Sequence, residues 1–296
     1  HTFRNGLHFG VTASVADDKT EVTKWTHNTK IPTYGATGWW DKSAYKEGMV
    51  LGDIWGLQFD RFLTEDDFNA DGSLKAGLPD QTKVFPAGYQ FAPGDVLYKD
   101  LDNNGEIVKQ TNTNEKGDLS VIGNALPRLQ FGLNLDAAWK GFDISMFFQG
   151  VAKRKLWAAG NQVLPGFTTG EPFYKGAEDY WTPENTDAFY PRPMDYKQSA
   201  SGNYSVNDRY LLNMAYLRLK TFTVGYSLPK VWLSKFKVQG LRVYFTGENL
   251  FTIDGVKPAI DPEIGIRTAG TSSDQRNFGR SYPYQKTVSF GIQLSL

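Results

Sequence analysis

The sequence has 296 residues, and its 32 Lys and Arg residues are balanced by 32 Asp and Glu residues. This zero formal net charge argues against nucleic-acid binding, which needs a basic face, and the absence of cysteine excludes thiolate catalysis, Cys-type zinc sites and disulfides. No apolar run approaches the roughly 18–20 residues of a membrane-spanning helix. This does not exclude a membrane β-barrel, because the strands of such a barrel alternate between apolar and polar residues.

Six segments of the sequence alternate between apolar and polar side chains. A period of two residues is typical of a strand, which turns successive side chains to opposite faces. The pattern covers residues 7–15, with a continuation at 20–22, and then 128–139, 142–149, 216–227, 241–246 and 288–296. We therefore predict an all-β fold whose strands have one apolar and one polar face.

Two local features refine this prediction. Lys140 and Gly141 separate the second and third alternating segments and predict a tight turn, so that these segments form a hairpin. Within 216–227 the apolar side chains change parity near Lys220 and Thr221, which predicts a β-bulge at that point.

The connections between the predicted strands are of two kinds. Those after Trp139 and Ser227 are short to moderate, whereas about 26–126, 156–211 and 253–284 are long and rich in glycine and aromatic residues. A soluble β-sandwich that binds carbohydrate also alternates, with its oily faces inward. Compact soluble domains rarely contain loops of this length, whereas transmembrane barrels have short turns on one side and long loops on the other. The loop asymmetry therefore favours the transmembrane barrel.

Four groups of segments resemble one family, the SusC/RagA-like TonB-dependent transporters of Gram-negative outer membranes. The first is an aspartate-rich loop, GDVLYKDLDNNGEI, at 94–107. The others are the strand entrance IGNALPR with FG, the hairpin pieces KGFD and FQG, and the strand pieces YLRLK, VGYSLP, LRVY and GENLFT. Each is weak alone, but their order and spacing across nearly all of the chain make the resemblance specific.

The resemblance implies a particular architecture. Such transporters are barrels of about 22 strands around a plug domain. With about six strands and no plug, residues 1–296 resemble the C-terminal portion of a transmembrane antiparallel β-barrel with long extracellular loops. Six strands alone would leave two unpaired edges in lipid. We therefore expect the chain to pair with the rest of its barrel.

The resemblance also implies a function and partners. The family imports an oligosaccharide or an oligopeptide across the outer membrane of a Gram-negative bacterium, driven through TonB. The expected partners are a SusD-like surface lipoprotein that caps the barrel, the remaining barrel and plug, TonB through the missing N-terminal part, and outer-membrane lipid. Such barrel–lipoprotein pairs commonly dimerise. In this picture Arg128, Asn134 and Asp136 line the lumen or contact the plug.

Part of the aspartate-rich loop matches the first half of an EF-hand-type calcium loop. Asp100, Asp102, Asn104 and Glu106 alternate along the chain, and their oxygens could converge on one hard cation. The twelfth position is Thr111, which cannot supply a bidentate carboxylate. Two interpretations of this loop therefore remain open: it binds a structural calcium ion, or it forms a hydrogen-bonded cluster of Asx turns without an ion. No cofactor is otherwise required.

Aromatic residues in the long connections are candidates for contact with a substrate. Aromatic planes stack on sugar rings and on peptide side chains, and loops commonly carry binding residues. The candidates are Trp39, Trp40, Trp157, Tyr180 and Trp181. Packing within the loops, or against a partner protein, is the alternative role for these side chains.

Catalysis has little support in the sequence. All three histidines, His1, His8 and His27, lie in the first tenth of the chain without partners at the spacing of a triad or a metal site. We therefore predict that the chain is not an enzyme.

Overall fold

The structure is a computed structural model that describes residues 1–25, 47–112, 115, 117–158, 160–167, 172–194, 202–234, 238–257, 260–263 and 284–296. In chain order the strands are β1 (His8–Ala16), β2 (Asp53–Gly56), β3 (Phe59–Phe62), β4 (Val96–Tyr98), β5 (Ser120–Asn124), β6 (Arg128–Trp139), β7 (Phe142–Lys153), β8 (Lys155–Leu156), β9 (Leu212–Asn213), β10 (Tyr216–Ser227), β11 (Gly240–Asp254) and β12 (Thr287–Ser295).

The main sheet contains the six long strands. They pair antiparallel in the order β1, β6, β7, β10, β11 and β12, so each long strand lies beside the next long strand along the chain. The predicted hairpin of β6 and β7 and the prediction of about six strands are thereby confirmed. The predicted continuation at 20–22 is not part of β1, because that strand ends at Ala16.

The backbone register extends the alternation across all six strands, since directly paired residues share a face. One row of partners is apolar and runs through Phe9, Ala137, Ile144, Val224, Phe245 and Phe290. The adjacent row is small or polar and runs through Gly10, Asp136, Ser145, Thr223, Thr246 and Ser289. We call the two sides of the main sheet the apolar face and the polar face.

The predicted tight turn joins β6 to β7. Lys140 and Gly141 have φ angles of 48° and 89°, the pair of positive values that a two-residue type I′ hairpin requires. The amide of Ser227 donates to the carbonyl of Gly141 at 2.8 Å, and the rings of Phe142 and Tyr226 lie 4.4 Å apart. These contacts define the turn end of the main sheet.

The predicted bulge is present in β10. The pairing with both neighbouring strands shifts between Leu219 and Thr221, so the single residue Lys220 lies opposite two residues of β11. One of these is Asn249, whose φ of 51° is left-handed. β11 therefore continues through 247–249, where the alternation alone indicated an end.

The helical segments are short. A single α-helical turn, α1 (Lys230–Leu233), follows β10, and 3₁₀ turns occur at Glu65–Asp67, Lys175–Ala177 and Gly202–Tyr204. Among the described residues, none of the helices has the length and apolar character needed to cross a membrane.

The three long connections, 17–127, 154–215 and 255–286, start and finish at the loop end of the main sheet, opposite the turn end. Within them, three short antiparallel pairs form: β2 with β5, β3 with β4, and β8 with β9. Two clusters of buried side chains lie here. The first includes Ile54, Leu156, Leu164, Tyr210 and Met214, and the second includes Leu57, Phe62, Val96, Tyr98 and Ile107.

The apolar face of the main sheet is open to its surroundings. Val15, Phe290 and Ile292 are 73%, 82% and 73% exposed. Within the described ranges, every other sheet has two strands, so no second large sheet covers this face as a sandwich requires. Among the described residues, the main sheet is a single layer with a largely exposed apolar face.

Candidate functional site

Two of the three residues predicted to face a lumen lie in the middle of the polar face. Asn134 is paired with Thr12 on one side and Phe147 on the other, and Asp136 is paired with Gly10 and Ser145. Arg128 lies at the loop end, where its guanidinium donates to the carboxylate of Asp17 at 2.6 Å. That a lumen or plug adjoins these residues stays a prediction.

Polar side chains lie flat across glycines on this face. A Cβ on Gly10 would come 2.4 Å from the Asp136 carboxylate, and one on Gly225 would come 2.5 Å from the Arg242 guanidinium. Arg242 thereby reaches Asp143, two strands away, with an Nε–Oδ1 distance of 3.0 Å. The two glycines thus leave room for charged side chains to lie along the polar face and reach neighbouring strands.

The structure separates the candidate aromatic residues. Trp39 and Trp40 lie outside the described residues. Trp157 and Trp181 are only 5% and 7% exposed and pack in the two buried clusters, as the alternative of loop packing described. Tyr180 is 40% exposed. Of the described candidates, Tyr180 is therefore the one with a side chain open to a ligand, and its role stays a prediction.

Tyr180 lies in a cleft of about 450 Å³ between the loop segments at 165, 173–180, 190–193 and 204. Its walls are aromatic and proline side chains, with one cation and one carboxylate. The aromatic and charged members are Phe173, Tyr174, Lys175, Glu178, Tyr180, Tyr190 and Tyr204. We call this site the aromatic cleft.

The aromatic cleft has buried tyrosines at its base and exposed aromatic side chains at its sides. Tyr190 and Tyr204 are 3% and 4% exposed, whereas Phe173 is 59% exposed. The Tyr190 hydroxyl donates to the carbonyl of Val163 at 2.9 Å, and burial raises its pKa to about 12, so it stays protonated. The cleft offers flat apolar surfaces for stacking on a sugar ring or an apolar side chain, with opposite charges at Lys175 and Glu178.

The aspartate-rich loop folds as a set of Asx turns. Asp100 accepts hydrogen bonds from the amides of Asn104 and Gly105 at 3.2 and 2.8 Å, and Asp102 accepts one from the Asn104 amide at 3.2 Å. The carboxylate of Glu106 instead forms an ion pair with Lys83. Two of the four predicted ligands, Asp100 and Asp102, offer carboxylate oxygens within 4.8 Å of each other.

Asp118 joins this cluster and was missed in the sequence. Oxygens of Asp100, Asp102 and Asp118 lie within 4.8 Å of one another. Asp118 accepts hydrogen bonds from the amides of Leu101 and Val108, each at 2.7 Å, and its burial raises the pKa of its carboxyl. Asp118 lies outside the alternating run of 100–106, so its position in the sequence did not indicate that it belongs to the cluster. Calcium binding by this loop stays a prediction.

A buried polar network involves residues next to those that line the aromatic cleft. Asp95 is fully buried and accepts hydrogen bonds from Tyr89, Arg192 and Asn203 at 2.9, 2.8 and 2.9 Å. These partners lie 6, 97 and 108 residues from Asp95 in the sequence. No local pattern could indicate such a network, which joins the segment before β4 to the segments around Pro193.

The sequence is similar to curated TonB-dependent receptors, although no family model matches it. It is 29% identical over 258 residues to TonB-dependent receptor P3 of Formosa agariphila, with 84% of this chain and 22% of that protein covered. TonB-dependent receptor P26 of the same organism is 32% identical over 201 residues, covering 66% and 19%. TonB-dependent receptor SusC of Bacteroides thetaiotaomicron is 24% identical over 242 residues, covering 78% and 22%.

The fold is similar to that of solved transporters. The structure of the RagAB peptide transporter has a TM-score of 0.62 at 19% identity, covering 99% of this chain and 27% of that one. The RagAB peptide importer in the "open-open" state has a TM-score of 0.59, covering 100% and 27%. The chain spans about a fifth of the length of the curated relatives it matches. The predicted family resemblance and the predicted all-β transporter fold are confirmed.

Proposed function

Because the chain is similar to SusC/RagA-like TonB-dependent receptors over most of its length, we propose that it forms part of the barrel wall and outer loops of an energy-coupled importer in the outer membrane of a Gram-negative bacterium. The observation that carries this proposal is the apolar face. Its side chains form a continuous surface across six strands that this chain leaves exposed. Lipid acyl chains would bury it at a gain of about 25 cal/mol per Å².

The dimensions of the sheet support the same placement. β6, β7 and β10 each have 12 residues, and a tilted strand crosses a bilayer with about 9–11 residues. Among the described residues, the outer edge of β12 has no partner strand, and the outer edge of β1 is paired only at its start, where Thr2 bridges His8 and Phe9 hydrogen-bonds to His1. Because lipid cannot satisfy their backbone groups, the remaining strands of the barrel are the expected partners at both edges.

The imported substrate is proposed to be an oligosaccharide or an oligopeptide that the aromatic cleft helps to hold. A SusD-like lipoprotein would close over the loop end, and two such pairs would associate. TonB would act through a plug that lies elsewhere in the protein. The chain has a binding and wall-forming role in this proposal, without catalysis. The names of the relatives support it, since they are receptors and transporters.

Spin labels test the placement of the two faces. The sequence has no cysteine, so single labels can be placed at Phe290→Cys and at its neighbour Ser289→Cys in the full-length protein in liposomes. Electron paramagnetic resonance should show that oxygen dissolved in lipid relaxes the label at 290 more than the label at 289. Equal accessibility to a water-soluble nickel complex at both positions would refute the proposed membrane placement.

Tyr180→Ala tests the aromatic cleft in the same full-length protein. Loss of one aromatic contact costs about 0.5–1.5 kcal/mol, so ligand affinity should fall about three- to tenfold. Trp232→Ala is the matched control, because Trp232 is 61% exposed and lies in α1 at the other end of the sheet. Calorimetric titration with oligosaccharide and oligopeptide pools measures both. Unchanged affinity in Tyr180→Ala would remove the cleft from the proposal.

A further inference from the structure

A second cleft lies at the loop end, between β5 and the junction of β7 with β8. It has a volume of about 480 Å³, and none of its lining residues is shared with the aromatic cleft. Four of its lining residues are cationic, namely Arg128, Lys153, Arg154 and Lys155. Asp53 is its single acidic lining residue. We call this site the cationic cleft.

Four of the residues that line the cationic cleft are cationic and one is acidic. Arg128 and Lys153 are direct cross-strand partners, an arrangement of like charges that destabilises a sheet. Asp17 neutralises Arg128, and Asp53 accepts a hydrogen bond from the Asn124 amide at 2.9 Å. Within the described part of the chain, Lys153 and Lys155 form no ion pair.

A backbone irregularity gathers these cations in one place. β7 pairs with β10 through Val151 and Tyr216, whereas β8 pairs with β9 through Lys155 and Asn213. One extra residue therefore lies on the 151–155 side, as in a bulge. In a regular strand residues 153, 154 and 155 would point to alternate faces, yet all three line the cleft.

A glycine keeps the wall of the cationic cleft tight. A Cβ on Gly123 would come 2.8 Å from Cβ of Lys155 and 2.7 Å from the Leu211 side chain. Val121 and Leu126 also line the cleft and are 48% and 37% exposed. The site thus combines several cations with exposed apolar surface, which suits an anionic group attached to an apolar body.

We propose that the cationic cleft binds a phosphate group, carried by the headgroup of a membrane lipid or by free phosphate. A phosphate presents several oxygens and takes charge-assisted hydrogen bonds from Lys and Arg together. Binding of the anion depends chiefly on Lys153 and Lys155 and does not depend on nutrient import.

Two double variants of the full-length protein test this site. Lys153→Gln with Lys155→Gln removes two cations from the cleft, and Lys75→Gln with Lys99→Gln makes the same change in charge elsewhere on the loops. Isothermal titration in a neutral detergent measures the binding of inorganic phosphate and of dioctanoyl phosphatidylglycerol. The cleft variant should bind on the order of tenfold or more weakly, and the control should stay within about twofold of the native protein.

The two probes separate the sources of the phosphate. Binding of the short-chain lipid alone assigns the cleft to a membrane headgroup, and equal binding of both probes assigns it to free phosphate. Lys155→Arg should retain the affinity, which separates loss of charge from loss of folding. Failure of the native protein to bind either probe, or equal weakening in both double variants, would overturn this proposal without changing the spin-label and Tyr180 tests of the proposed function.

Discussion

Arg218 is a buried cation at the loop end of β10, with a side chain only 4% exposed. It donates to Asp261 at 2.7 Å and to the Thr252 hydroxyl at 2.7 Å, and lies 3.1 Å from Glu263. Burial, the largest single effect, raises the pKa of Asp261, but the hydrogen bond and charge of Arg218 together with the amides of Glu263 and Tyr284 outweigh it, so the pKa is lowered. Arg218 therefore holds the connection after β11 against the polar face.

Replacing Arg218 should be costly because it leaves the buried carboxylate of Asp261 without its cation and leaves Glu263 with Lys220 alone. We expect Arg218→Leu to lower the free energy of unfolding of the full-length protein by about 3–5 kcal/mol. Lys83→Gln is the control, since it breaks an ion pair whose side chains are 57% and 47% exposed and should cost at most about 1 kcal/mol. Denaturant unfolding in detergent measures both, and similar costs would contradict this role of Arg218.

Asp67 makes the loops sensitive to acid. Hydrogen bonds from Arg61, at 2.6 and 2.7 Å, lower the pKa of Asp67 to about 2. A lowered folded-state pKa stabilises the fold fully above the unfolded value of about 3.9, and that contribution is lost as the pH falls towards 2. The Asp67 carboxylate also accepts from the amide of Thr64 at 2.7 Å, so its protonation should loosen this turn.

Pepsin cleavage measures this loosening, because the protease is active in the same pH range. Near pH 4 the native protein should be cut around 61–68 more slowly than Asp67→Asn. The difference should shrink as the pH approaches 2, where the native carboxyl becomes protonated. Cleavage rates that differ equally at both pH values would show that Asp67 does not hold the turn through its charge.

The β6–β7 turn depends on a left-handed glycine. Gly141 has a φ of 89°, and a Cβ there would lie 2.7 Å from the carbonyl oxygen of Ser227. Gly141→Ala should therefore destabilise the full-length protein by about 1–2 kcal/mol or more. Gly240→Ala is the matched control, because the nearest atoms to its Cβ are 3.6 Å away, in Ser295. Equal unfolding midpoints for the two variants would refute the requirement.

The elements that the sequence predicted are those with a local signal. The alternation and the pair Lys140 and Gly141 predicted the main sheet and its hairpin, because side-chain period and turn conformation are set by near neighbours. β8 and β9 have two residues each, too few to show a period. Their pairing joins residues more than 50 positions apart, so tertiary contacts decide it.

The aromatic cleft was predicted only in part for the same reason. Composition indicated that loop aromatics contact a ligand, and Tyr180 does lie in the cleft. Burial decides which aromatic side chains remain available, however, and Trp157 and Trp181 enter clusters whose members come from distant segments. Asp118 joined the aspartate cluster through folding of the chain, without a spacing that the sequence displays.

At the scale of the molecule, burial is concentrated in the loops. The largest fully buried side chains, among them Tyr98, Tyr210 and Ile54, all lie outside the six long strands. The long connections thus supply their own cores, whereas among the described residues the main sheet exposes its apolar face, the edge of β12 and most of the edge of β1. The strands depend on surroundings that this chain does not provide, and those surroundings are lipid and further strands in our proposal.

This dependence predicts how residues 1–296 behave when produced alone. Without detergent they should form aggregates, because an exposed apolar sheet with open edges pairs with other copies. Produced together with the rest of the transporter in a membrane, they should become resistant to external protease as one barrel. Replacing Phe290 and Ile292 by Ser, at positions 82% and 73% exposed, should reduce aggregation of the chain alone yet impair assembly in the membrane. A monodisperse monomer that unfolds cooperatively in buffer, measured by light scattering and calorimetry, would show that the sheet completes its own core.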